Sequence, residues 1–143
     1  VCGTYPDRIA AGMALCGGTS LKDVSGLGKL PFWIIHGTAD RAVSVNCSKT
    51  VVEKLKSEGN DQRLLYNWWQ GAGHGAPARV FYLKKTYEWL FSHSLRDPDR
   101  HVRRDISIEM SDQRKAYSDI TRGGGAPELI DGISVIKSEG FED

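Results

Sequence analysis

A nearly unbroken apolar run, Leu30 to His36, most constrains how this chain folds, and Gly37 ends it. Runs of this kind are typical of strands that are covered on both faces, as in parallel sheets. Two further segments have strand character: residues 9 to 16 are small and apolar, and residues 63 to 69 are rich in aromatic side chains. The alanines of the first of these segments also allow a helix there. The chain therefore contains up to three buried strands.

Segments with helical spacing alternate with these strands. Residues 44 to 57 predict a helix, with Ser44 as its N-cap and Gly59 as its C-terminal stop. A second helix is predicted from Pro77, which suits a first helical turn, to about His93. Its predicted sheet-facing residues are Val80, Leu83, Tyr87, Leu90 and Phe91. Residues 19 to 29 are polar and punctuated by glycine, which predicts a loop or a broken helix.

This order of elements predicts an α/β fold with parallel strands and helices on both faces of the sheet. Two polar groups follow predicted strands: Asp40 comes shortly after the second, and His74 after the third. The carboxyl ends of parallel strands meet along one edge, where open α/β sheets keep their ligand sites. A carboxylate that holds an imidazole in one tautomer is the acid–base pair that a hydrolytic nucleophile needs. Asp40 and His74 are thus the candidate catalytic residues.

Composition excludes several other classes of function. The net charge of +1 gives no electrostatic basis for binding nucleic acid or an anionic membrane surface. No apolar run approaches the roughly 18 to 20 residues that span a bilayer, so no membrane span is predicted. The three cysteines are odd in number and lack C-x-x-C spacing, so the sequence predicts no metal site. No organic cofactor is implied either. Free or buried thiols are favoured over a disulfide.

Two motifs carry a more specific resemblance. Residues 36 to 43 read H-G-x-x-D-x-x-V, and residues 71 to 75 read G-x-x-H-G. Together with their surroundings they resemble the second half of an α/β-hydrolase, in its esterase, dienelactone-hydrolase-like and prolyl-oligopeptidase-like branches. Four segments carry this resemblance: YPDRIAAGMALCGG, LPFWIIHGTADRAVSV, KTVVEKLKSEGN and WWQGAGHGAP. The resemblance implies that residues 1 to 95 form the C-terminal portion of an α/β-hydrolase domain, with Asp40 as the acid and His74 as the general base of a triad.

The nucleophile of such a triad is missing from the sequence. In that family it lies in a G-x-S-x-G elbow, on a sharp turn from strand to helix. No serine of this chain has glycine at both flanking positions: Ser20 follows Gly18 by two residues, but Lys22 stands where the second glycine should be. We therefore expect the nucleophile upstream of this sequence. The N-terminal half of the same fold, from the same gene or a partner chain, or an oligomer, is then needed to complete the domain.

The resulting expectation is a serine hydrolase that acts on a small-molecule carboxylic ester. Two alternatives stay open: a peptidase of the prolyl-oligopeptidase type, and a non-catalytic binding module with an α/β-hydrolase-like fold. A dinucleotide site is disfavoured, although Gly71, Gly73 and Ala76 match G-x-G-x-x-G/A, because Pro77 removes an N–H donor that would face the pyrophosphate.

The chain changes character at residue 96. Residues 96 to 143 contain 8 Lys and Arg against 11 Asp and Glu, and Gly123 to Gly125 interrupt them. This composition predicts a polar, solvated and partly disordered extension, with one helix over residues 106 to 120.

Overall fold

Three parallel strands form the centre of the protein. The computed structural model describes residues 1 to 121, without the side chains of residues 23 and 117 to 121. Within them the strands β1 (Gly12–Leu15), β2 (Phe32–Gly37) and β3 (Leu64–Trp69) lie in the order β1-β2-β3. Both pairings are parallel. The predicted parallel sheet is confirmed, and the segment that allowed either helix or strand is a strand.

The apolar run of β2 is covered on both faces, because successive side chains of a strand point to opposite sides. Trp33 and Ile35 belong to one hydrophobic cluster, with Trp89. Phe32 and Ile34 belong to another, with residues of the helix that follows β2. All six residues of β2 are buried, so the expectation of helices on both faces of the sheet is confirmed.

The helix after β2, α1 (Val45–Ser57), has the predicted limits. The Ser44 hydroxyl accepts a hydrogen bond from the backbone N–H of Asn46 at 3.2 Å, which is the expected N-cap interaction. Gly59 follows the helix with a φ of +63°, a left-handed conformation that glycine adopts without steric cost. The side chains of Val51, Val52 and Leu55 face the sheet and are buried.

The prediction of one helix from Pro77 to about His93 is wrong. The chain forms a 3-10 helix, Pro77–Tyr82, and then an α-helix, α2 (Lys84–Phe91), with Leu83 extended between them. The Thr86 hydroxyl donates to the Val80 carbonyl at 2.5 Å. The Val80 carbonyl also accepts a hydrogen bond from the Leu83 N–H at 3.1 Å, so it has both a backbone and a side-chain partner where the chain bends.

The break also rotates the buried face of this region. Val80 and Leu83 are buried as predicted, but α2 buries Thr86 and Trp89. Phe91, a predicted sheet-facing residue, is 73% exposed. Leu90 packs against the core as predicted and is partly buried, so the predicted periodicity holds only in part beyond the break.

Two other segments take short helical forms. Residues Leu21–Lys29 form a 3-10 helix, which resolves the expected loop or broken helix. The helix predicted over residues 106 to 120 begins later, as α3 (Asp112–Thr121). Oδ2 of Asp112 accepts a hydrogen bond from the N–H of Glu109 at 2.7 Å. The residues just before α3 therefore form a turn that this side chain closes, and they do not extend the helix.

Residues after 95 contribute to the core. Val102, Ile108 and Ala116 are each 5% exposed or less and belong to the cluster of Trp33 and Trp89. Residues 122 to 143, on which part of the predicted polar extension falls, lie outside the described residues. The division of the chain at residue 95 stays a prediction. In the described part of the chain, no helix has the length and apolar character to cross a bilayer.

Candidate active site

Asp40 lies three residues beyond β2, in a turn that its own side chain closes. Oδ1 accepts hydrogen bonds from the backbone N–H groups of Ala42 and Val43, both at 2.8 Å. This is the turn chemistry that favours Asp at such positions, since the carboxylate bonds backbone amides two and three residues ahead. Oδ1 is fully occupied by the turn, and Oδ2 remains for another partner.

That partner is His74, 34 residues further along the chain. Its Nδ1 lies 2.8 Å from Asp40 Oδ2. The Asp40 side chain is closed to solvent, whereas the His74 side chain is 51% exposed. The structure thus brings the two candidate catalytic residues into hydrogen-bond contact, with the imidazole on the open side of the pair.

Hydrogen bonds between the two loops fix this contact. The Thr38 N–H donates to the Trp69 carbonyl and the Ala39 N–H to the Ala72 carbonyl, both at 3.0 Å. The Thr38 hydroxyl accepts from the Gly71 N–H at 2.8 Å. The loop that carries Asp40 is therefore held in register with the loop that carries His74.

A glycine permits the two loops to approach so closely. A Cβ on Gly37 would lie 2.2 Å from the Ala72 carbonyl oxygen. In the histidine loop only Gly71 needs a glycine conformation, with a φ of +75°. Gly73 and Gly75 have open space around them, so the path of this loop depends on Gly71 and Gly37.

The Asp40 carboxyl is strongly acidic. Burial by itself raises its pKa, but hydrogen bonds from the Val43 amide, the His74 ring and the Ala42 amide outweigh burial and hold the pKa at about 2, against an ordinary 3.8. Because an ionised carboxylate only accepts hydrogen bonds, His74 Nδ1 carries a proton and donates it. With the proton on Nδ1, a neutral ring has its free lone pair on Nε2, as a general base requires.

His36 is a member of this network that the sequence did not indicate as one. It is fully buried, with Nε2 at 2.8 Å from the Val43 carbonyl and 3.2 Å from Asp40 Oδ2. Its Nδ1 lies 2.7 Å from the Ser48 hydroxyl. Because the Val43 carbonyl and the Asp40 carboxylate can only accept hydrogen bonds, Nε2 of His36 carries a proton and donates it. Its place at the start of the H-G-x-x-D motif was the one signal in the sequence for this role.

Cys16 is the second residue that sequence reasoning missed. It directly follows β1 and has a left-handed backbone conformation, with a φ of +55°. Its thiol lies 3.1 Å from the His74 carbonyl oxygen. Burial raises the pKa of Cys16 to about 11, and the charge of Asp40 acts in the same direction. Because nucleophilic attack requires the thiolate, this buried thiol is poorly suited to the role of nucleophile.

The part of the chain that the structure describes offers no serine partner for the His74 ring. Within residues 1 to 121, as far as their side chains are described, no serine hydroxyl forms a hydrogen bond with the His74 ring. The neighbouring serine, Ser48, donates instead to the Gly17 carbonyl at 3.1 Å and contacts His36. Among the described side chains, the site therefore consists of the Asp40 carboxylate hydrogen-bonded to the His74 imidazole.

Comparison with known proteins gives one informative result. The sequence matches no known protein family and no curated protein. The structure is similar to the crystal structure of a thermostable esterase, with a TM-score of 0.56 and 26% sequence identity. The fold is esterase-like.

The similarity extends over only part of each chain. It covers 64% of this chain but 26% of the esterase chain, so the protein spans about a quarter of the length of that structure. Together with the three parallel strands, it confirms the expected fold class, part of an α/β fold of the hydrolase kind. It supports a hydrolase-type function in general terms.

Proposed function

We propose that this chain supplies the acid and the general base of a serine hydrolase that cleaves carboxylic esters. The single observation that carries the proposal is the 2.8 Å contact between Asp40 Oδ2 and His74 Nδ1 at the carboxyl edge of a parallel sheet. The similarity to part of an esterase supports the choice of substrate class. The nucleophilic serine comes from residues outside this sequence, in a preceding segment of the same polypeptide.

The chemistry of each step follows from the orientation of His74. As the serine oxygen attacks the ester carbonyl carbon, Nε2 of His74 takes the hydroxyl proton. The carbon–oxygen bond to the alcohol then breaks, and Nε2 returns the proton to the leaving oxygen. Water cleaves the acyl-serine by the same route, which releases the carboxylic acid and restores the serine. Asp40 keeps its charge throughout and stabilises the imidazolium that forms.

The electrostatics of Asp40 suit this role. Its low pKa keeps the carboxyl ionised over the whole pH range in which a histidine titrates. Its Oδ1 is fixed by two backbone amides, whereas Oδ2 faces His74. The carboxylate therefore needs no reorganisation when positive charge develops on His74, which is the condition for efficient electrostatic stabilisation.

The test compares two proteins: the 143-residue chain, and a longer chain that also carries the coding sequence that precedes Val1. We expect a fluorophosphonate probe to label the longer chain on a serine and this protein to hydrolyse p-nitrophenyl esters. The 143-residue chain should show neither reaction. Failure of the longer chain to label and to hydrolyse esters would overturn the proposal and favour a binding module, whereas cleavage of prolyl peptides in preference to esters would favour the peptidase.

Variants of the longer chain assign the base. His74→Gln should reduce ester hydrolysis by about 10³-fold or more, since loss of a member of such a triad has effects on that order. His101→Gln is the matched control, because His101 is an exposed histidine away from Asp40. Equal activity of the two variants would show that His74 is not the base.

A further inference from the structure

Three metal-ligating side chains of different kinds meet at the carboxyl edge of the sheet. Cys16, Asp40 and His74 each offer one ligand atom, and these atoms lie within 4.8 Å of one another. The three residues follow three different strands, so no spacing along the sequence announces them. This explains why the cysteine pattern alone predicted no metal site.

We propose that this cluster is a binding site for a thiophilic divalent cation such as Zn²⁺, held by the Cys16 thiolate, a carboxylate oxygen of Asp40 and a ring nitrogen of His74. The site goes beyond the proposed hydrolase function. The ion would take the groups that the acid–base pair uses, so its binding would switch the pair off.

The geometry is close to what zinc requires. Ligand distances of about 2.0 to 2.3 Å in a tetrahedral site place the ligand atoms about 3.3 to 3.8 Å apart. The Asp40 and His74 atoms start closer together than that, at 2.8 Å, and no atom of the cluster lies more than 4.8 Å from another. Side-chain rotations that move the ligand atoms by about 1 Å bring all three to the separations that a tetrahedral zinc site requires. A water molecule fills the fourth position.

The donor set selects the class of cation. One thiolate, one imidazole and one carboxylate match the preference of Zn²⁺ and Cd²⁺, whereas Mg²⁺ and Ca²⁺ require oxygen ligands throughout. The half-exposed ring of His74 gives the ion a path from solvent, and Cys16 lies buried behind it. Its thiol donates to the His74 carbonyl oxygen at 3.1 Å, a weak hydrogen bond that metal binding would replace.

Occupation of the site has a defined consequence for the acid–base pair. The hydrogen bond between Asp40 Oδ2 and His74 Nδ1 cannot persist when the ion takes these atoms, because the proton on Nδ1 must leave. The ring then loses the tautomer and orientation that leave Nε2 free as a base. Metal binding is thus inhibitory in this protein.

The test titrates the 143-residue chain with Cd²⁺, whose bonds to thiolate absorb in the ultraviolet. We expect one equivalent to bind at micromolar concentration with a thiolate band. Cys16→Ser should remove that band and weaken binding at least tenfold, and Zn²⁺ should displace Cd²⁺ from the wild-type protein. Cys47→Ser is the matched control, because Cys47 is an exposed thiol, and it should leave one equivalent and its band unchanged.

A second measurement does not depend on whether the cysteine variant folds. Nitrogen chemical shifts of the histidine rings in the wild-type chain should change on addition of one equivalent of Zn²⁺ at His74 and stay unchanged at His101. Persistence of the thiolate band in a folded Cys16→Ser protein, its loss in Cys47→Ser, or unchanged His74 signals would each overturn the proposal. Neither measurement uses an ester or a nucleophile, so the outcome is independent of the proposed hydrolase function.

Discussion

The side chains of His36 and Asp40 are both inaccessible to solvent and lie in contact, with Nε2 of the histidine 3.2 Å from Oδ2 of the carboxylate. The same oxygen accepts the hydrogen bond from His74 at 2.8 Å. His36 is itself held by the Ser48 hydroxyl at 2.7 Å. The position of the Asp40–His74 pair is therefore set from the interior of the fold, through a histidine that no solvent reaches.

Two substitutions of His36 separate its contacts. Asn places an amide where Nδ1 lies and keeps the contact with Ser48, whereas Gln reaches the position of Nε2 and keeps the contact with Asp40. We expect His36→Asn to lower the free energy of unfolding by about 1 to 3 kcal/mol, since it leaves buried acceptors unpaired. Urea denaturation measures this loss.

The readout that distinguishes positioning from simple stability is the Nδ1–H signal of His74 in proton NMR. It should shift in His36→Asn and stay near its wild-type position in His36→Gln, because only Gln still donates toward Asp40. If both variants leave this signal unchanged, His36 supports the fold without positioning the carboxylate.

The depressed pKa of Asp40 makes the stability of the protein depend on pH in the acid range. Its folded-state pKa of about 2 lies below the ordinary 3.8, so this carboxylate stabilises the fold above pH 3.8. The contribution is lost as the pH falls through 3.8 toward 2. Asp40→Asn lacks this ionisation, so its melting temperature should lie below that of the wild type at pH 5 and approach it as the pH falls to 2.

Thermal unfolding followed by circular dichroism at steps between pH 2 and 5 measures this difference. The range lies below the pH at which an unperturbed histidine changes charge, so the change reports on the carboxylate. A gap in melting temperature that stays constant down to pH 2 would contradict the assignment of the low pKa to Asp40.

Gly37 controls the approach of the two active-site loops. In Gly37→Ala the new Cβ would lie 2.2 Å from the Ala72 carbonyl oxygen, a backbone atom that cannot turn aside. We expect a loss of about 2 kcal/mol or more in the free energy of unfolding, typical of overpacking, and a displaced His74 loop.

Gly73→Ala is the matched control in the same region. A Cβ there meets nothing within 4 Å, so its free energy of unfolding should stay within about 0.5 kcal/mol of the wild type. Denaturant titration of the two variants side by side provides the comparison. Equal stability would show that the loops approach less closely than the structure has them.

The sheet and the edge that carries Asp40 and His74 were predictable because both depend on periodicity. A run that is apolar at every position of β2 requires cover on both faces, and parallel strands bring their carboxyl ends together. The cap at Ser44 was predictable for a related reason, since it is a local interaction between residues two positions apart.

What the sequence did not indicate depends on contacts between distant residues. Cys16 reaches the His74 carbonyl across 58 positions of the chain. The break at Leu83 escaped prediction because Val80 and Leu83, three residues apart, suit both an α-helix and the 3-10 helix that forms. The spacing of apolar residues along a sequence predicts neither the register of the strands nor the rotamers of the side chains.

The residues after 95 offer a last prediction, on how far the folded unit extends. Ile108 is fully buried in the cluster of Trp33 and Trp89, whereas Leu95 is 48% exposed. If this part of the chain is integral to the core, Ile108→Ala should lower the free energy of unfolding by about 2 to 5 kcal/mol, the usual effect of a cavity in a packed core. Leu95→Ala should change it by less than about 0.5 kcal/mol. Urea denaturation of both variants decides the question, because a polar extension attached to an independent unit of residues 1 to 95 would leave both variants as stable as the wild type.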